Sequence, residues 1–301
     1  MNVGISVPRT DTYLSPPIWG DERLARSLQK FLGNQKGIGR VDLYGRGMTV
    51  SNDIDIVLCM NHDVKHRGKK TVLWYQNSNE HDLRSLTNEY DGIMFASDHH
   101  FQAADHDWSM NDFPIPYCLE YVCYSDPAEF PEMSRTKNVK IAYLGNNIKG
   151  PQNVERYLVP AIEFGLECYG SGWEHGPTAP VAKGALRGLM SSAQLYNNSE
   201  IVLSFHLDEH RKWGMPVCRP TEAMLCNALC ITDEVGRDVW DHHVIFTDGD
   251  RDLADKLSYW TAHPEEVKKF IVGNREYAIE NLTVEIQAFR VGEFLKKVMD
   301  S

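Results

Sequence analysis

The sequence predicts an α/β protein made of two Rossmann-like domains that face a central cleft and end in a helical C-terminal tail. Three observations carry this. Short β-branched runs alternate with helical patterns along both halves, the pattern of βαβ units and parallel sheet. A polar stretch with two prolines interrupts the series near its middle, and no strand pattern follows Asp250.

In the first half the expected strands are VDLY (41–44), DIVLCM (55–60), TVLWY (71–75) and GIMFAS (92–97). Between them, DERLARSLQKFLG (21–33) sets Leu24, Leu28, Phe31 and Leu32 on one helical face. Asp21 stands as the N-cap and Gly33 as the stop, so this is the first crossover helix. The stretch from Asp126 to Asn138 breaks the pattern, and the domain boundary is placed there, giving domains 1–135 and 136–301.

A second series then begins with VKIAYLG (139–145), a helix over 153–165, and LECYG (166–170). EIVLSFH (200–206), ALCITD (228–233) and HVIFTD (243–248) complete it. The tail reads as three helices, DLADKLSYWTA, then EEVKKFIVGNREYAIEN after Pro264, then VEIQAFRVGEFLKKVMD, the last of which can pack back on the N-terminal domain. No internal repeat and no low-complexity segment is visible.

Composition bounds the function. Hydrophobic residues at 42% and charged residues at 24% suffice for a core and lie far from disorder. A net charge of -11 makes nucleic acid a weak expectation as partner, without removing it, because a local basic groove can sit on an acidic protein. The seven cysteines are odd in number and scattered through apolar runs, which reads as free buried thiols. The N-terminal stretch lacks a basic start with an apolar follow-on, and no run approaches the length of a membrane span, so a cytoplasmic protein is expected.

Ligands of open parallel sheets bind beyond the carboxyl ends of the strands. That confines the search to the loops 8–21, 76–81, 145–150, 170–175, 206–222 and 233–237. The segment from Leu195 to Glu234 is the richest. It holds LYNNSEIVLSFH, the polar cluster HLDEHR, and RPTEAMLCNALCITDE, where Glu222 stands in a first helical turn and complements the dipole there. LGNNIKG (144–150) joins a strand to a helix with two glycines and Lys149. YGSGWEHG (169–176) is a glycine-punctuated turn, and Pro16 to Asp21 brings a glycine to a helix start.

These strings resemble the donor-binding core of group 1 glycosyltransferases, close to family 4 and to the spore-maturation-protein type. The likeness covers most of residues 139–290, through KIAYLGNNIKG, LECYGSGWE and the "lY..s.ivL.fh" and "R..Ea.acg.l.itd" elements. The N-terminal half resembles the same proteins more weakly, through WGDERLARSL, VLWYQN and DGIMFAS. The resemblance implies the two-domain GT-B fold and transfer of a sugar from a nucleoside-diphosphate sugar to an acceptor such as a glycan, glycoconjugate or protein. It implies a hexosyltransferase that is metal-independent, needs no cofactor beyond the nucleotide-sugar co-substrate, and retains configuration.

By position, the resemblance implies that Glu222 accepts hydrogen bonds from the donor ribose. Arg219 and Lys149 would meet the diphosphate, with Gly145 and Asn146 beside them; a family arginine is missing near Asn146. Gly170 and Gly172 would line the base pocket, and Tyr196 matches the "lY..s" element, while Thr221 adjoins Glu222. The family's earlier glutamate is replaced by Gly214, which leaves the sugar contacts and the stereochemical outcome open. The backbone of Gly214, Met215, Pro216 and Val217 stands in its place.

His206 ends a strand within the acid, base and cation cluster and is the candidate for direct involvement. Gly20 and Asp21 form a candidate phosphate or acceptor loop, opposite Gln76 and Asn77 with Glu80 and His81. No metal is expected. Adjacent histidines in the pairs His99-His100 and His242-His243 would point to opposite faces, and Asp248-Gly249-Asp250 reads as a polar turn. The competing readings are a catalytically silent nucleotide or sugar binder, a nucleotide-sugar epimerase, and an enzyme that modifies nucleic acid.

Overall fold

A computed structural model describes residues 1–8, 20–60, 66–76, 83–97, 109, 112–133, 136–147, 153–186 and 189–301. The chain divides into two compact units. One comprises Met1–Asp126, Trp213–Met215 and Thr283–Ser301, the other Pro127–Lys212 and Pro216–Leu282.

The first unit is built on six parallel strands: β1 (Val3–Ser6), β2 (Val41–Tyr44), β3 (Ile56–Cys59), β4 (Lys70–Tyr75), β5 (Gly92–Phe95) and β6 (Tyr117–Leu119). Their order is β2-β1-β3-β4-β5-β6, so the direction of winding reverses between β1 and β3. β1, β3 and β5 are buried along their whole length, as strands covered on both faces must be. The helix Gly20–Leu32 packs against the C-terminal helix Val284–Asp300. The latter starts at Thr283, whose hydroxyl accepts from the Ile286 N–H, and lies so close to the sheet that a Cβ on Gly92 would meet Val298 at 2.7 Å.

The second unit repeats the plan with β7 (Val139–Leu144), β8 (Leu166–Tyr169), β9 (Ala182–Gly184), β10 (Ser199–Ser204), β11 (Leu229–Thr232) and β12 (Ile245–Phe246). The order β12-β11-β10-β7-β8-β9 is the doubly wound arrangement, with its switch point between β7 and β10. Ile141, Tyr143, Ile201, Leu203, Leu229 and Ile231 form the core with Tyr157, whose ring stacks on Phe205 at 4.2 Å.

Two expected helices differ in form. The segment 153–165 winds as a wide π turn over Val154–Leu158 and a tight 3-10 stretch over Val159–Phe164. Pro160 sits at the change, since it has no N–H to continue an α ladder. The segment expected as one helix after Pro264 splits into Pro264–Phe270 and Asn274–Asn281, because Gly273 takes the left-handed conformation at φ 82°. The strand expected over 243–248 shortens to Ile245–Phe246, while His243 turns to stack on Tyr277 at 3.7 Å and donates to Asn274 Oδ1 at 2.9 Å.

Candidate functional site

The switch point of the second unit brings the carboxyl ends of β7 and β10 side by side, and a buried polar network lies beyond β10. His206, two residues beyond β10, is completely buried. Its Nε2 accepts from the Val217 N–H at 3.2 Å, and its Nδ1 lies 2.6 Å from Asp233 Oδ1. A backbone N–H can only donate, so Nε2 carries no proton and Nδ1–H donates to the carboxylate. Neither ring nitrogen is left for an external group.

Asp233 follows β11, and β10 and β11 are paired in register, so the two side chains meet because their strands do. Its second oxygen accepts from the His206 N–H at 2.9 Å and from Arg211 Nη1 at 3.1 Å. Burial pushes this carboxyl up, but the hydrogen bonds it accepts from His206 and from the Arg211 guanidinium outweigh it and hold it below the ordinary Asp range. Arg211 also reaches Asn153 Oδ1 at 2.6 Å, the Asp208 carboxylate and the His206 carbonyl, while Asn153 donates to that same carbonyl at 2.9 Å.

Past Val217 the chain enters the helix Arg219–Leu225, whose residues from Pro220 to Leu225 are all buried. Thr221 accepts from Trp240 Nε1 at 3.2 Å, and Glu222 is buried at 4% exposure. Arg219 is half-buried and forms no ion pair with Glu222, Asp233 or any other described carboxylate. Its charge is felt by the Tyr143 and Tyr196 phenols and by Glu222. Tyr196, stacked on Phe130 at 6.2 Å, has a buried hydroxyl with no hydrogen-bond partner among the described residues. Burial drives that phenol well above its ordinary range, with the Glu222 charge adding and the Arg219 charge opposing.

The glycine-bearing turns after β7 and β8 are stitched to each other. Asn146 Oδ1 accepts from the Ser171 N–H at 2.9 Å, Asn147 Nδ2 donates to the Gly172 carbonyl at 3.1 Å, and Trp173 Nε1 donates to the Gly145 carbonyl at 2.6 Å. Gly170 and Gly172 both have positive φ, so glycine is required there by the backbone itself. Gly214 also has positive φ, at 58°, and Met215 and Pro216 beside it are buried.

In the first unit Gly20 opens the helix Gly20–Leu32, and burial raises the Asp21 carboxyl above its ordinary value. Gln76 follows β4, with a buried Nε2 that finds no hydrogen-bond partner among the described residues. Lys149, Asn77, Glu80, His81, His99 and His100 lie outside the described residues. At this unit's own switch point Ser6 and His66 meet at 2.6 Å, and His66 Nε2 bonds the Met48 carbonyl at 2.9 Å. Sequence reasoning passed over this pair, and over Asp233 as a member of the site. The register of β11 beside β10 was the available signal for Asp233.

Residues 153–283 match the family model described as glycosyl transferase-like, a span that falls on the second unit. No curated protein matches the sequence. Among solved structures, sucrose-phosphate synthase from Thermosynechococcus elongatus aligns at TM-score 0.69 and 11% identity, covering 99% of each chain. Anabaena HepE, in complex with UDP and glucose, aligns at TM-score 0.68 and 11% identity over 99% of this chain and 100% of that one. T4 phage BGT, in complex with its UDP-glucose substrate, aligns at TM-score 0.64 and 14% identity over all of both chains. At such identities the likeness shows the fold, and the fold is GT-B. Residues 153–283 are thus similar to the glycosyl transferase-like family, and the chain as a whole has the GT-B fold.

Proposed function

We propose that the protein transfers a hexose from a nucleoside-diphosphate sugar, held at the carboxyl ends of β7, β10 and β11, to an acceptor hydroxyl, without a metal or other cofactor and in the cytoplasm. One observation carries the reading. Arg219 is a half-buried guanidinium with no carboxylate to pair with among the described residues, two residues past the loop pinned by His206. A partly desolvated cation with no carboxylate in ion-pair contact is costly, and a diphosphate supplies that contact in bidentate form. As the bond to the sugar breaks, charge grows on the departing diphosphate, and Arg219 from its place at the helix start, together with Lys149, would stabilise it. Glu222 is the acceptor for ribose hydroxyls, with Tyr196 and Thr221 behind it.

Retention of configuration is part of the proposal and rests on resemblance to family 4. Gly214, where those enzymes carry a glutamate, favours a second reading, a binder of nucleotide-sugars that does not transfer. HepE and T4 phage BGT were solved with uridine nucleotides, so UDP-glucose is the first donor to assay. Two further structural neighbours are a DNA modifying enzyme, a beta-glucosyltransferase, and an alpha-glucosyltransferase in complex with DNA containing an abasic site. Neither unit here has more Lys and Arg than Asp and Glu, so charge disfavours DNA against a neutral glycan as acceptor.

The test is a thermal-shift series with UDP-, GDP-, ADP- and dTDP-sugars, followed by donor hydrolysis and transfer assays. A donor that stabilises the native protein should lose its effect in Arg219→Ala and Glu222→Ala, each still folded without ligand. No shift with any donor, or shifts unchanged by both substitutions, would sink the proposal. Stabilisation with neither hydrolysis nor transfer would select the silent binder.

A further inference from the structure

The buried polar network after β10 ends on one backbone N–H, that of Val217. Asp233 receives three donors at 3.1 Å or less: His206 Nδ1–H on one oxygen, and the His206 N–H and Arg211 on the other. Fixed by them, the ring offers Nε2 to Val217. Val217 lies two residues before Arg219, in the stretch 216–218 that leads into the helix Arg219–Leu225.

We propose that Asp233 and Arg211 are positioning residues that select the Nδ1–H tautomer of His206, and that this tautomer locks the loop from which Arg219 reaches the donor diphosphate. The inference rests on the donor reading above for its functional half, while the lock itself is a property of the free protein. The chemistry is a matter of donors and acceptors. An imidazole with its proton on Nε2, or on both nitrogens, would oppose an N–H to the Val217 N–H and release the loop. Only the neutral Nδ1–H form closes it. Trp240, stacked on the ring at 6.3 Å, and His210, edge-on at 6.4 Å, complete the surroundings, with Asp208 held through Arg211.

Asp233→Asn is the discriminating substitution, because it keeps size and shape. One carboxylate oxygen becomes an NH2. At the oxygen facing Arg211 and the His206 N–H it would meet two close donors. At the other it would meet Nδ1, which can give up its proton, and only a long approach from the Val235 N–H at 3.4 Å. The NH2 therefore faces Nδ1, the ring proton moves to Nε2, and the Val217 bond is lost. The same logic makes an aspartate-to-asparagine change present the wrong histidine tautomer in hydrolase triads.

The experiment has two arms. In the first, without ligand, histidine side-chain nitrogen resonances report the His206 tautomer, and hydrogen exchange reports the Val217 amide. The native protein should show Nδ1–H and a protected amide; Asp233→Asn should show Nε2–H, with exchange faster by roughly tenfold or more. In the second, UDP is titrated calorimetrically, and its dissociation constant should rise roughly tenfold or more in Asp233→Asn. His206→Gln, whose carbonyl can still accept from Val217, should stay within about threefold of native, whereas His206→Phe, equally folded by circular dichroism, should not. An unchanged tautomer and amide in Asp233→Asn would overturn the lock. A released amide with unchanged UDP affinity, or equal affinities for the Gln and Phe variants, would overturn its positioning role. A native protein that binds no UDP while the first arm behaves as expected would overturn the donor reading instead, and the two failures are told apart by the first arm.

Discussion

Gly170 lies against the carbonyl of Gly145, so close that a Cβ on Gly170 would stand 1.9 Å from that oxygen. Gly170 also holds φ at 131°. Gly184 has a similarly positive φ of 80° but open space around it, with nothing among the described residues within 4 Å of an added Cβ. The pair separates two costs. Gly184→Ala should lose about 1 kcal/mol, the cost of left-handed backbone for an L-residue. Gly170→Ala adds a collision with backbone that cannot swing aside, and should lose about 2–4 kcal/mol in urea unfolding. Equal losses would mean that the turns after β7 and β8 are not held by this contact.

Glu120 supplies a pH dependence. It is buried after β6 at 3% exposure, and burial pushes its carboxyl up from 4.5 to about 7, against the Arg290 charge and the Gln287 hydrogen bond. Between those values the folded protein keeps a proton that the unfolded chain has released. Stability therefore falls as pH rises through that window and levels off above it. Glu120→Gln removes the penalty. The variant should be more stable than native by up to about 3 kcal/mol at pH 8 and nearly equal to it at pH 4.5. Unfolding free energies at the two pH values test this, and a stability difference that did not grow with pH would refute it.

The strands with strong β-branched runs were legible because burial on both faces leaves only apolar residues to choose from. DIVLCM, for example, contains β3, IVLC, which is buried at every residue. β1, with VGIS, and the three-residue strands β6 and β9 were not, since each gains its place from a neighbouring strand rather than from its own composition. Pro160 and Gly273 were visible in the sequence, but helical periodicity around each concealed the break. At the site, Arg219 and Glu222 stood out by pattern. Asp233 did not, because its partner His206 precedes it by 27 residues and only the parallel register of β10 and β11 joins them.

The thiols offer a probe of the proposed site. Cys59, Cys168 and Cys226 are buried, and burial pushes them up to about 11, 12 and 12; Cys230 is driven higher still. Cys118 is half-buried, yet burial and the Glu120 charge push it up to about 12. Cys123 is fully buried. Cys218 is the half-buried thiol next to Arg219. Thiolates, not thiols, attack disulfide reagents, so the native protein should show one fast-reacting cysteine and all seven after denaturation.

That fast thiol should be Cys218, and its position makes it a reporter of the diphosphate. UDP bound at Arg219 should slow its reaction by roughly tenfold at saturation, since the reagent then competes with a ligand that covers the loop. Conversely, a bulky adduct on Cys218 should abolish UDP binding, while Cys218→Ser binds normally and no longer reacts. Persistence of the fast phase in Cys218→Ser would reassign the thiol. A fast phase that belongs to Cys218 but ignores saturating UDP would place the nucleotide away from Arg219, and the helix Arg219–Leu225 would then owe its buried glutamate to the fold alone.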